Sequence, residues 1–220
     1  MTEKPSVRPS GDRAVLLQLA RNRDVHAVTR AARMHWGGEL RDVVPGHSTV
    51  LLVWETARPD VRAVTSFLGQ FAEQGNWLGN GASASAEAAA EPVIIPVRYD
   101  GPDLPNVAAR LGISEGEVVR LHSTARYTVA FSGFAPGFAY LVGGDPRLNL
   151  PRLAVPRTDV PAGSVAVAAG YSGIYPRRSP GGWNLLGRTE VVLFDPEREP
   201  PALLTPGMHV QFEPRPLARS

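Results

Sequence analysis

Thr49-Val-Leu-Leu-Val-Trp54 is an unbroken run of β-branched, aliphatic and aromatic residues with no charge, and it reads as a buried strand. Toward the C-terminus, residues 60–74 place Val61, Val64, Leu68 and Phe71 on one helical face, and residues 93–99 read as a further strand. Toward the N-terminus, residues 40–44 read as a short strand. Residues 24–35 carry Val25, Val28 and Ala31/Ala32 at helical spacing, and residues 13–19 alternate as a strand. The order β-α-β-β-α-β is that of a ferredoxin-like split βαβ unit. Residues 79–90, rich in Gly, Ala and Ser, read as a flexible loop before the last of these strands.

The next stretch is helical, over residues 104–111 and 116–124, joined by Gly112-Ile113-Ser114. Ser114 with Glu117 has the spacing of a capping box. Val107-Ala-Ala-Arg-Leu-Gly-Ile-Ser114 followed by Val118 also has the outline of a DNA-binding helix-turn-helix. A recognition helix needs polar or basic side chains aimed at bases. Here Arg120 and His122 are offset by Glu115 and Glu117, so a helical hairpin packed on a barrel is the expectation, with no nucleic-acid partner.

From Tyr127 the pattern changes to short strands, at residues 127–131, 138–142, 164–169, 190–194 and 208–212, between Pro- and Gly-rich turns. This argues a β-barrel or sandwich. Residues 133–187 hold 10 Gly and 7 Pro, of 22 Gly and 21 Pro in the chain. Phe134, Phe138, Tyr140, Tyr171, Tyr175 and Trp183 are spread through them, so the segment has apolar area enough to pack and is not a linker. Over residues 133–188, Arg147, Arg152, Arg157, Arg177, Arg178 and Arg188 face only Asp145 and Asp159. Guanidinium forks suit carboxylates and phosphates. An anionic ligand is therefore expected here; the plain alternative is that these arginines are solvated or pair with acids elsewhere.

The 220-residue chain has 23 basic and 21 acidic residues and no Cys, which excludes disulfides, thiolate metal sites and a Cys nucleophile. Lys4 is its only lysine and sits in a polar tail, so neither a P-loop nor a Schiff-base lysine is available. The charge-free run at 160–176 is broken by Pro161, Gly163, Gly170 and Gly173, too soon for a membrane span. Residues 1–11 lack the apolar core of a signal peptide. A soluble, cytoplasmic protein with no membrane partner is expected. His26, His35, His47 and His209 show no metal-ligand spacing, so no metal site is expected.

Two patterns concentrate the chemistry. Pro151-Arg-x-x-Val155-Pro156-Arg-x-x-Val160-Pro161 is a five-residue quasi-repeat that holds the chain extended and presents Arg152 and Arg157 from a rigid segment. Gly133-Phe-Ala-Pro-Gly-Phe138, Pro161-Ala-Gly-Ser164, Tyr175-Pro176 and Ser179-Pro-Gly-Gly-Trp183 are tight turns in which backbone N–H groups can approach an anion or a carboxamide. His122, at the end of the second helix, has a side chain that titrates near neutrality and suits acid–base work.

The run Phe131-Ser-Gly-Phe-Ala-Pro-Gly-Phe-Ala-Tyr-Leu141, the Pro151–Ser164 stretch, Gly173-Ile-Tyr-Pro176, Ser179-Pro-Gly-Gly-Trp183 and Gly187-Arg-Thr189 resemble the family of the 5-oxoprolinase B subunit and allophanate hydrolase subunit 1. That family, the carboxyltransferase domain subdomains C and D, also includes the sporulation-kinase inhibitor. Asp12-Arg-Ala14, Leu121-His-Ser123 and Pro206-Gly207 fit as well, so the resemblance covers nearly the whole chain. It departs at Gly170-Tyr171-Ser172-Gly173, where relatives carry Gly-Gln-Thr-Gly.

The resemblance implies an α+β chain, with a ferredoxin-like α/β domain at 1–90 and a cyclophilin-like β-barrel domain at 91–220. It implies one component of an ATP-dependent amidohydrolase that opens 5-oxo-L-proline to L-glutamate. ATP, with magnesium, is a substrate there, and no cofactor is tightly held. Partners would be the 5-oxoprolinase C subunit, sharing the site, and the A subunit. The alternatives are a histidine-kinase inhibitor and a component of an allophanate or urea amidohydrolase. His122 is expected as an acid–base group, Arg157 and Arg188 as anion clamps, and Tyr175 as a catalytic orienting group. Phe134, Pro136, Gly137, Arg152, Ser164, Ser179, Gly181, Gly182, Trp183 and Asn184 are expected to line the substrate, with Trp183 as a packing wall.

Overall fold

The computed structural model describes residues 5–56, 60–73 and 91–216; Lys4 and the loop expected at 79–90 lie outside them. The chain divides into two units, Met1–Ala90 and Glu91–Ser220.

The first unit carries β1 (Ser6–Ser10), β2 (Ala14–Gln18), α1 (Asn22–Trp36), β3 (Leu40–Pro45), β4 (Thr49–Trp54) and α2 (Val61–Glu73). Its antiparallel sheet has the order β1-β2-β4-β3. Alternation does the sorting. Val15, Leu17, Val50, Leu52 and Trp54 turn inward and meet Val25, Val28 and Ala32 of α1 and Val64, Leu68 and Phe71 of α2 in one core. The helices fall where the periodicity puts them. The fourth strand of the sheet does not: it is β1, with Val7 as its one apolar residue against the core. Pro9 is admissible there because β1 pairs only with β2 and so forms an edge.

The second unit takes the strand expected at 93–99. Its strands are β5 (Val93–Val97), β6 (Tyr127–Ser132), β7 (Ala139–Val142), β8 (Arg157–Val160), β9 (Ser164–Ala168), β10 (Tyr171–Ile174), β11 (Ser179–Gly181), β12 (Asn184–Arg188) and β13 (His209–Pro214). Its helices are α3 (Leu104–Leu111) and α4 (Glu115–Ser123). Seven strands form one sheet, β12-β9-β10-β7-β6-β13-β5, in which β5 runs parallel to β13 and every other pairing is antiparallel. A bridge between Arg98 and Arg188, with backbone hydrogen bonds of 2.9 and 2.8 Å, brings the two edges together into a nearly closed barrel. A Cβ on Gly101 would collide with the main chain of Leu185 and Leu186, so this seam closes only because residue 101 has no side chain. The α+β class and the barrel-like second part agree with the expectation; the split βαβ pairing does not, because β5 belongs to the second sheet.

Ile95, Val97, Val129, Leu141, Val165, Val210 and Phe212 fill the barrel. The helical hairpin packs Leu104, Val107, Val118 and Leu121 against Val167 and Leu186 of the sheet and Leu148 and Leu150 beyond it. Ser114 Oγ accepts the Glu117 N–H at 3.2 Å, but the Glu117 carboxylate turns to Arg120 (2.6 and 2.7 Å), so only half of the capping box forms. β8 and β11 make a separate two-stranded ribbon. Residues 190–194, expected as a strand, make a single bridge, Phe194 with Ala202. The facing segment contains Pro196, Pro200, Pro201 and Pro206, which offer no N–H to a ladder. Among the described residues, no helix is long and apolar enough to cross a membrane.

Candidate functional site

Two cavities border the glycine- and proline-rich segment of the second unit. The smaller, about 80 Å³, is walled by Phe134, Phe138, Tyr140, Tyr175 and Trp183, with Arg152 at its edge and Gly181 and Gly182 along one side. The aromatic rings meet edge-on: Phe138 lies 5.5 Å from Trp183, 5.6 Å from Tyr175 and 5.2 Å from Phe134. Such T-shaped contacts fix ring positions. Tyr175, Phe138 and Trp183 are buried, whereas Phe134 is exposed and stands at φ 66°, held out at the rim. A Cβ on Gly181 would run into the Tyr175 hydroxyl, so this glycine is what lets β11 lie against the ring. Burial raises the Tyr175 phenol pKa, against a backbone hydrogen bond at Trp183 and the charges of Arg152 and Arg157, which lower it.

Six residues expected at the substrate therefore meet here: Phe134, Arg152, Tyr175, Gly181, Gly182 and Trp183. Arg157 lies on the neighbouring ribbon opposite Gly181. Its Nη2 donates to Asp103 Oδ1 at 2.7 Å, and its Nη1 is buried without a hydrogen-bond partner among the described residues. Ser179 Oγ, on the other strand of that ribbon, is likewise buried and unpartnered. Buried unpaired polar atoms are uncommon and call for an explanation.

The remaining expected residues are structural in their contacts or lie away from this pocket. Asn184 Nδ2 donates to the carbonyls of Pro151 (3.0 Å) and Val167 (3.1 Å), tying the quasi-repeat to β9. The Ser164 carbonyl accepts the Tyr175 N–H at 2.9 Å. Gly137 sits in the turn before β7 at φ 80°, beside an exposed Pro136. Arg188 is at the barrel seam, where its Nε and Nη2 reach Asp100 Oδ2 at 3.0 and 2.8 Å.

His122 is fully buried in the second unit and has no surface for a substrate. Its ring stacks on Phe212 at 4.4 Å. Tyr99 Oη is 2.7 Å from Nδ1, and Ser172 Oγ is 2.8 Å from Nε2. Burial lowers its pKa to about 3, so the ring is neutral near pH 7. Its partner Ser172 is among the residues lining the larger cavity, about 160 Å³ in volume. Tyr127, Asp145, Leu148, Asn149 and Tyr171 also line that space. The Tyr171 ring is 5.4 Å from that of Tyr140, which lines the smaller cavity. The sequence alone assigns no role to Tyr99, Asn149 or Ser172. The nearest signal is the glycine bracket Gly170-Tyr171-Ser172-Gly173. Asp103 escapes sequence reasoning as well; standing just before Leu104-Pro105 it resembles an N-cap, but its carboxylate makes no cap bond and instead accepts from Arg157 and from Leu185 N–H, at 2.7 Å each.

The chain belongs to the family described as carboxyltransferase domain, subdomain C and D, whose model matches residues 5–204. Three curated relatives, at 46–49% identity, are named as the B subunit of 5-oxoprolinase. The match to the one from Escherichia coli O157:H7 is 49% identical over 124 residues, which is 55% of this chain and 57% of that protein. The chain thus spans little more than half the length of the curated relatives it matches. The crystal structure of TTHA0988 superposes with a TM-score of 0.75 at 38% identity, over 94% of this chain but 40% of that one. Kluyveromyces lactis urea carboxylase shares the fold, with a TM-score of 0.64 at 19% identity, over 96% of this chain and 22% of that one.

Proposed function

We propose that this chain is one component of an ATP-dependent 5-oxoprolinase complex, acting on 5-oxo-L-proline together with the C and A subunits of that complex. The observation that carries the reading is the pocket that gathers Arg152, Tyr175, Gly181 and Trp183 in a chain whose curated relatives are named as the B subunit of 5-oxoprolinase. The overall reaction consumes 5-oxoproline, ATP and two waters and yields glutamate, ADP and phosphate. The lactam oxygen is phosphorylated, water adds at the activated carbon, the ring C–N bond breaks with its nitrogen taking a proton, and a second water releases phosphate.

In this reading the chain's own residues bind and orient. The aromatic walls exclude water, which strengthens every charge interaction inside. Arg152 at the edge supplies donors for a carboxylate or a phosphoryl oxygen. A cavity of about 80 Å³ admits a group rather than a whole substrate with ATP. The rest of the site then comes from a partner, and Phe134 at the rim is placed to meet it. TTHA0988, in which the part matching this chain is 40% of a longer polypeptide, fits that division of labour.

The test is ATP hydrolysis with and without 5-oxoproline, by this chain alone and reconstituted with candidate A and C subunits. Turnover that requires 5-oxoproline and the full set of subunits is expected. An assembled complex that leaves 5-oxoproline intact would reject the reading and turn attention to another amide or to a kinase-binding role.

A further inference from the structure

The sheet of the first unit has two faces. The inward residues of β2 and β4 pack against α1 and α2. Alternation sends the residues between them to the opposite side. The strand register lines these up in two rows across the sheet, Arg8–Leu16–Leu51–Val44 and Ser10–Ala14–Val53–Asp42. Leu16, Leu51 and Val53 are half-buried, Val44 is 43% exposed, and Arg8 and Asp42 are exposed. The centre of this face is aliphatic, with a base on the β1 edge and an acid on the β3 edge. We infer that it is a self-association surface, whose occupant is the same face of a second copy of the chain.

Two observations favour pairing of face on face. The first is that the edges of the sheet are blunted. On β3 the Val43 N–H donates to Asp42 Oδ1 at 2.7 Å, the Val43 carbonyl accepts from Arg33 Nη2 at 3.2 Å, and Pro45 has no N–H. On β1, Pro9 is likewise without a donor. Addition of a strand at either edge is penalised by these groups. The second is that the charges are self-complementary. A twofold axis in the interface, running along the strands, sets β1 over the β3 of the second copy and β2 over its β4. Each Leu16 then faces a Leu51. Each Arg8 comes over the far β3 edge, one row from an Asp42, about 7 Å along the strand. An extended guanidinium spans that offset. Every contact is made twice, as a closed twofold requires. A different protein would have to bring an acid and a base at this same spacing, whereas a second copy already carries them. Size sets the strength. Four strands about 4.8 Å apart, each of about five residues at about 3.3 Å, cover roughly 300 Å² in plan. A standard interface takes about 800 Å² from each partner, so this dimer is weak and reversible.

Sedimentation velocity of the full chain, in a concentration series reaching about 1 mM, is the test, since small interfaces are populated only at high concentration. The sedimentation coefficient is expected to rise along the series toward that of a dimer. Leu51→Glu puts a charge in the middle of the aliphatic row and is expected to raise the dissociation constant at least about tenfold. Arg8→Glu and Asp42→Arg, at exposed positions, are each expected to weaken pairing several-fold. Asp42→Arg also removes the acceptor of the Val43 N–H, so the double reversal is the deciding variant. It is expected to restore pairing, which a fault confined to one copy would not do. The inference is overturned if the chain stays monomeric throughout the series, if Leu51→Glu leaves the dissociation constant unchanged, or if the double reversal pairs no more tightly than the single variants. Its failure is separate from that of the proposed function: none of these residues lines the aromatic pocket, and sedimentation of the chain alone needs neither 5-oxoproline nor ATP.

Discussion

Arg157 and Arg188 look alike in the sequence, two arginines of one positively charged segment, yet the fold gives them different surroundings. Arg157 reaches Asp103, whose side chain is 6% exposed and whose second oxygen takes the Leu185 N–H. Arg188 reaches Asp100, which is 25% exposed and is shared with Arg98 at 3.1 Å. The distances to the two carboxylates are nearly equal, at 2.7 and 2.8 Å. Burial therefore separates the pairs. A charge left alone in a protein interior is costly, while one at the surface is resolvated. The same residue types at nearly the same separation make a structural tie in one place and a screened surface contact in the other.

Removing the buried carboxylate should have the largest effect. Asp103→Ala strands the Arg157 guanidinium and the Leu185 N–H together, and the whole chain is expected to lose about 3–5 kcal/mol of stability. Urea unfolding of the full-length variant measures it, and a midpoint equal to that of the parent would erase the distinction between the pairs. Acid attacks a different buried group in each unit. His26 and His122 are held neutral by burial, their pKa values lowered to about 4 and about 3 from an ordinary 6.5, with the Arg30 charge adding to the effect at His26. The unfolded chain then binds more protons than the folded one at every pH between those values. Both contributions are present above pH 6.5 and decline as pH falls, through about 4 for His26 and about 3 for His122. His26→Gln should flatten the upper part of that decline in the urea midpoint while leaving the lower part. Gly181→Ala comes next, at about 1–3 kcal/mol for overpacking. Its Cβ would displace Tyr175, and anion binding at the aromatic pocket should fall with it, read by titration of phosphate against the parent.

These contrasts mark where sequence could and could not lead. Alternation at Val15/Leu17 and Val50/Leu52, and helical spacing at Val64/Leu68/Phe71, carry their own geometry, because a strand or helix face is set by neighbours two to four residues away. The destination of β5 does not. Val93 pairs with Val210, and nothing local to either says so. β1 was hidden for a related reason: an edge strand with one apolar contact needs no alternating pattern. At the site, the turns Gly133–Phe138 and Ser179–Trp183 were legible because glycine and proline beside aromatics have few other uses. Arg152, Tyr175 and Trp183 line one pocket with Phe134 and Phe138. Asn184 and His122 carried the same polar signal, but the fold spends Asn184 on two carbonyls and places His122 behind Ser172. Which polar residue faces a cavity and which faces a carbonyl is decided by strand register, and the bulges between Leu185 and Gly187 and between Ser179 and Gly181 reset that register just where it matters.

The smallest expected effect is the sharpest test of the difference between Arg157 and Arg188. Asp100→Ala, Arg188→Ala and the double variant form a cycle whose coupling energy isolates the pair. The Arg188 side chain is 58% exposed, so solvent screens the attraction, and Arg98 competes for the same Asp100 oxygen when Arg188 is removed. Both facts pull the coupling toward the value of an ordinary surface pair, about 0–1 kcal/mol. Raising the salt concentration should shrink it further, since exposed pairs are screened over about 10 Å at 0.1 M. The corresponding cycle on Asp103 and Arg157 should hold its coupling in salt. The Arg98–Arg188 backbone bridge needs neither side chain, so the barrel seam should stay closed in all three Asp100 and Arg188 variants, with its two amides protected from hydrogen exchange. Loss of that protection in Arg188→Ala would mean that the surface pair, and not the main chain, holds the seam, and the two arginines would then be alike after all.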